Sequence, residues 1–127
     1  MKYFKFVSSA FLFVAVTVSQ AWAGAHFAHE VAVSDAYIRG GLYTASGASD
    51  TKQYVGCYIN ALSSSSAVVC VGRDSSGTTK TCIDSSPNQA KLNAVAALSD
   101  SAYLYVSISN GSCERITVHA NSAFKEQ

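Results

Sequence analysis

The residues able to do chemistry are few and scattered. His26 and His29 stand in an H-x-x-H spacing with Glu30 beside them, and His119 is the third histidine of the chain. Imidazole and carboxylate are ligand types for a transition metal. The spacing is not H-E-x-x-H, however, and catalytic metal sites normally take three protein ligands. No metal site is assigned, and no cofactor is expected. Serines are abundant, but none sits in G-x-S-x-G, and turns and exposed strand faces account for them. Gly40-Gly41 and Gly47 lack the pattern and the lysine of a phosphate-binding loop. The acids are dispersed, with Asp74 and Asp84 placed as solvent-exposed turn carboxylates. A hydrolase or toxin-like enzyme would have to use His119 with a carboxylate such as Glu114 or Asp100, and no spacing pairs a base with a nucleophile.

A binding surface is better supported than a catalytic centre. Leu104, Val106 and Ile108 alternate with Tyr103, Tyr105, Ser107 and Ser109; Ile116 and Val118 alternate with Arg115, Thr117 and His119. If the two runs form a hairpin with one apolar face, Tyr103, Tyr105, Arg115, Thr117 and His119 share the opposite face, with Ser107 beside them. Tyrosine combines apolar area with a polar tip, and Arg adds charge, which suits a partner surface. Tyr58 joins them if its strand is adjacent. The competing structural reading is that sheets favour tyrosine.

The hairpin needs the right register. Asn110-Gly111 points to a two-residue turn, but a strict version would set Val106 against Arg115. A three-residue loop, Asn110 to Ser112, or a bulge of equal effect pairs Val106 with Ile116 and Leu104 with Val118. Register follows the buried face, so this second pairing is expected. The same Asn110-Gly111-Ser112 also matches a glycosylation sequon.

Upstream, a first strand is expected from Val31 to Ile38, broken by Gly40-Gly41, with a polar loop over Thr44 to Lys52. Tyr54 to Leu62 alternates as a half-buried strand. Ser63 to Ser66 reads as a loop, which in an inhibitor of a hydrolase would be the projecting element. Ala67 to Val71 and Thr78 to Ile83 flank a turn about Gly77. Ser86 as N-cap, Pro87 at the first helical position and Gln89 three residues on predict one helix to about Leu98, with Lys91 and Asn93 facing water. The sum is an α+β fold: an antiparallel sheet of five or six strands with one short helix. An all-β sandwich is the alternative.

Cys57, Cys70, Cys82 and Cys113 are even in number, with gaps of 13, 12 and 31 residues. Such wide gaps suit two disulfides rather than zinc, and four cysteines allow three pairings. A turn centred on Ser76 sets Cys70 opposite Cys82, which favours Cys70–Cys82 with Cys57–Cys113. Cys57–Cys70 with Cys82–Cys113 is the close competitor.

The first 23 residues have the layout of a secretory signal: Lys2 and Lys5, an apolar run from Val7 to Val18, then Ala21-Trp22-Ala23 before the expected cut. The apolar run is shorter than the roughly 20 residues a spanning helix needs. This leaves a single disulfide-bonded domain over 24–127, secreted or periplasmic, with no stable membrane span. Taking Lys2 and Lys5 from nine basic side chains leaves seven against eight acidic ones, a formal net charge of −1. A near-neutral domain without a basic cluster lacks the electrostatic footprint for nucleic acid. The expectation is a non-catalytic binding protein for an extracellular protein or glycan.

Overall fold

The computed structural model describes residues 29–120; the expected signal segment and His26 lie outside them. The chain forms β1 (Ala32–Val33), β2 (Tyr37–Gly41), α1 (Leu42–Ser46), β3 (Tyr54–Ala61), β4 (Ser66–Arg73), β5 (Thr79–Asp84), α2 (Gln89–Ala96), β6 (Tyr103–Ser109) and β7 (Ser112–His119). All pairings are antiparallel. They make not one sheet but two, a four-stranded sheet β1-β2-β6-β7 and a three-stranded sheet β3-β4-β5. The fold is α+β. Neither short helix is large enough to cover a sheet, so the inner sides of the two sheets bury each other. No helix among the described residues is long and apolar enough to cross a membrane, which says nothing of spanning by strands.

Ile38, Leu104, Val106 and Cys113 from the first sheet meet Val68, Cys70 and Cys82 from the second, with Val95 of α2 added. All but Val95 are at most 1% exposed. At Gly72 of β4 the layers lie close together: a Cβ built there would come 2.5 Å from Ile38 Cγ2.

The expected first strand is in fact two. Ser34 turns the chain, its N–H donating to the Tyr37 carbonyl oxygen at 2.9 Å and its Oγ accepting the N–H groups of Ala36 and Tyr37. Gly40-Gly41 does not break the strand but ends β2 inside it, where Gly40 leaves room for Val31. Part of the expected polar loop is helical instead. The single turn of α1 has no side-chain cap; it is held from outside, by the Leu42 N–H on the Ala102 carbonyl oxygen and by buried Ala45.

The helix α2 starts later than Ser86 and Pro87 predict. Asn88 is the N-cap, its Oδ1 accepting the Lys91 N–H at 2.9 Å. Ser86 is taken by a different acceptor, its N–H donating to Asp84 Oδ1. Asp84 is correspondingly not a solvent-exposed turn carboxylate. It closes β5 on the buried side and pairs with Lys91, which does not face water but also donates to the Cys113 carbonyl oxygen at 2.8 Å. The Lys91 hydrogen bond holds the Asp84 carboxyl below the usual carboxylate range against the desolvation that raises it, with the Ser86 N–H and the Lys91 charge as smaller pulls.

The last hairpin keeps the expected pairing, Val106 with Ile116 and Leu104 with Val118. It does so by the bulge. Ser109 pairs with Ser112 across Asn110-Gly111, whose φ angles of 50° and 75° make the left-handed two-residue turn, and the register then shifts between Ser107 and Ile108.

The disulfides are Cys57–Cys70 and Cys82–Cys113, which corrects the favoured pairing. Cys70 does lie opposite Cys82, but equally opposite Cys57 on its other side. The two positions differ. The Ile83 N–H leaves its sheet for the Gly111 carbonyl oxygen, so Val69 and Ile83 form a non-hydrogen-bonded pair and Cys70 with Cys82 a hydrogen-bonded one. Cys70 then meets Cys57 as the closer, non-hydrogen-bonded pair, with Cα atoms 4.0 Å apart. Cys82 is left to reach Cys113 in the other sheet, with a Cα separation of 5.1 Å.

Candidate functional site

The outer face of the four-stranded sheet gathers most of the polar and aromatic residues that the sequence singled out. Cross-strand register sets three rows. Gly41, Tyr103 and His119 make the first; Ala32, Arg39, Tyr105 and Thr117 the second; Tyr37, Ser107 and Arg115 the third. Tyr103, Tyr105, Arg115, Thr117 and His119 therefore do share one face. Inward alternates Leu104, Val106, Ile116 and Val118 force this, since side chains on a strand point to opposite sides in turn.

The rings are arranged in two groups. Tyr103 lies between two histidines, with ring centroids 4.9 Å from His29 at an edge-on 63° and 5.7 Å from His119 at 59°. A Cβ at Gly41, opposite Tyr103, would sit 3.1 Å from Thr44 Oγ1 and in ordinary contact, 3.5 Å, with the Cβ of His29. In the second group Tyr37 and Tyr105 stack at 6.3 Å and 20°, and the Arg39 guanidinium carbon sits 4.9 Å over the Tyr37 ring. Contacts of this kind hold aromatic side chains in defined orientations. Tyr37, Tyr103 and Tyr105 are half-buried, while Arg39, Arg115 and His119 are exposed.

Tyr58 does not belong here. Its strand β3 lies in the other sheet, where Tyr58 points outward in a row with Val69 and Ile83. Two residues of this face were missed by sequence reasoning, Tyr37 and Arg39, and His29 was singled out only as a possible metal ligand. The signal was present in Tyr37-Ile38-Arg39, where outward Tyr and Arg flank buried Ile38, but the pairing of β2 with β6 spans more than sixty positions of chain and has no local signature.

The other sequence candidates are dispersed. Glu114 lies at the bulged end of β7, five residues from His119 and so about 16 Å along an extended strand. Asp100 lines a separate cleft of about 500 Å³ with Leu42, Tyr43, Ser46 and Val55. Of the possible metal ligands, His29 and His119 stand on either side of Tyr103. Among the described residues the one group of three or more potential ligands is Cys70, Cys82 and Cys113, whose sulfurs are engaged in disulfides.

The arrangement can stack a planar or apolar ring face on Tyr, donate hydrogen bonds from guanidinium, and accept or donate through hydroxyl and imidazole. Compared with known proteins, the chain matches no family model, no curated protein and no solved structure.

Proposed function

We propose that this protein is an exported, non-catalytic binding protein that contacts an extracellular protein or glycan through the outer face of its four-stranded sheet. One observation carries the reading: on a single face Tyr103 packs against His29 and His119, and in a neighbouring group Tyr37 packs against Tyr105 and Arg39. Rings and guanidinium groups already oriented by each other lose less freedom when a ligand settles on them. Arg, Tyr and Trp also dominate the energetics of protein interfaces. The leader-like first 23 residues and the two disulfides support export, since disulfides persist in oxidising compartments.

Amide and ring chemical shifts, followed while a panel of polysaccharides and then cell-surface protein fractions is added, test the proposal. The expected result is a contiguous set of shifts over β2, β6 and β7, abolished in Tyr105→Ser. Shifts confined to the cleft around Asp100, or none on this face with any ligand that binds, would overturn it.

A further inference from the structure

The two disulfides are neighbours. The sulfurs of Cys70, Cys82 and Cys113 lie within 4.8 Å of one another, although Cys70 is bonded to Cys57 and Cys82 to Cys113. Three of the four cysteines are at most 1% exposed, whereas Cys57 on the edge strand β3 is half-buried. Cys57 is thus the least buried of the four cysteines, and the sulfurs of the other three lie beside one another in the core.

We propose that this cluster is a thiol–disulfide exchange site, entered at Cys57 by a low-molecular-weight thiol and ending in release of the tie between the two sheets. A thiolate attacks Cys57 Sγ and forms a mixed disulfide. The Cys57–Cys70 bond breaks, and its electron pair leaves on Cys70 Sγ. The Cys70 thiolate then attacks Cys82 Sγ, forming Cys70–Cys82 and breaking Cys82–Cys113, whose electron pair leaves on Cys113 Sγ and takes up a proton. One thiol is consumed and one released, so no oxidant or reductant is needed beyond the entering thiol.

Two features direct the second step to Cys82. Cys70 and Cys82 are already opposite each other on adjacent strands, so the new bond forms within one sheet. The leaving sulfur belongs to Cys113, whose carbonyl oxygen accepts a hydrogen bond from the Lys91 ammonium. A nearby ammonium favours a thiolate leaving group, although Asp84 shares that charge. The consequence is structural. Cys82–Cys113 is the covalent link between the sheets, and Cys70–Cys82 is not, so a reaction at Cys57 frees the hairpin β6–β7 that carries the ring-bearing face.

The oxidised native protein, incubated with reduced glutathione, acid-quenched, alkylated and mapped after trypsin and chymotrypsin digestion, tests this. Glutathione on Cys57, a Cys70–Cys82 disulfide and alkylation moved to Cys113 are expected. Glutathione on Cys57 with alkylated Cys70 and intact Cys82–Cys113 would overturn the exchange. No glutathione at Cys57 would overturn the entry point, and free Cys82 with a Cys70–Cys113 bond would overturn the acceptor. Cys57→Ser supplies the Cys70 thiol without any reagent. It should yield the Cys70–Cys82 isomer with free Cys113 at mildly alkaline pH, and persistence of Cys82–Cys113 with all of Cys70 alkylated would count against the proposal.

Discussion

The two sheets expose outer faces of similar residue type and different organisation. On the four-stranded sheet, outward Tyr37, Tyr103 and Tyr105 are half-buried by each other, by two histidines and by Arg39. On the three-stranded sheet, outward Tyr58 is 55% exposed and Ile83 53% exposed in one row. Between that row and Tyr54 stands Gly56, where an added Cβ would meet nothing within 4 Å. A tyrosine on a strand becomes part of a surface only when its cross-strand and diagonal neighbours also carry rings or long side chains. Outward placement alone leaves Tyr58 isolated.

The largest effect that would break this comparison is removal of the inter-sheet link. Replacing Cys82 and Cys113 together by Ser should cost about 2–5 kcal/mol in urea unfolding. It should also disturb ring-proton shifts of Tyr103 and Tyr105, because β7 loses its anchor, while Tyr58 is unaffected. If both faces respond alike, they are not separate regions. Next comes the buried ion pair. Asp84→Asn should lower stability at neutral pH by about 1.5–3 kcal/mol, the range for hydrogen bonds to charged groups. Because the folded Asp84 carboxyl titrates below the unfolded one, its stabilisation is complete above about pH 4 and is lost as pH falls through the folded value. The variant should therefore show a shallower acid limb, read by unfolding midpoints between pH 2 and 7. Asp35, Asp50 and Asp74, also lowered, supply what remains.

Smaller effects sharpen the contrast. With a ligand in hand, Tyr105→Ser or Arg39→Ala should weaken binding about 10- to 100-fold, in keeping with ring and guanidinium hot spots, and Tyr58→Ser should leave affinity unchanged; titration calorimetry decides. Gly72→Ala, forced against Ile38, should cost about 1–3 kcal/mol. Gly56→Ala, with nothing near its Cβ, should fall within about 0.5 kcal/mol of the parent in the same denaturant titration. The smallest change concerns α2: Asn88→Ala should cost about 1 kcal/mol, whereas Ser86→Ala should be nearly silent.

Much of this was legible along the chain. The alternation of Leu104, Val106, Ile116 and Val118 placed Tyr103, Tyr105, Arg115, Thr117 and His119 on one face and required Val106 opposite Ile116, by a three-residue loop or a bulge, since only that pairing keeps the buried side whole. The turn about Gly77 likewise set Cys70 opposite Cys82. Other features were not legible. Ser86-Pro87 looks like the helix start, but α2 is capped by Asn88 two residues later, while the Ser86 N–H is held by Asp84. Lys91 looked like a surface residue because its partner carboxylate comes from a strand seven positions earlier. The single turn of α1 had no sequence signal, because the groups that hold it come from Ala102 and the core.

Period-two patterning by itself determined which residues of each strand point together, because a strand's side chains alternate whatever it packs against. It also determined the hairpin pairing between neighbouring strands, where the chain is too short for other choices. Only the tertiary structure decided that β2 lies beside β6, adding Tyr37, Arg39 and His29 to the face and leaving Tyr58 out, and that the strands divide into two sheets. The disulfide partners were decided there too. Cys70 has a cysteine on each side at the same height, and which one lies close enough depends on hydrogen-bond directions set by the whole sheet rather than by spacing along the chain.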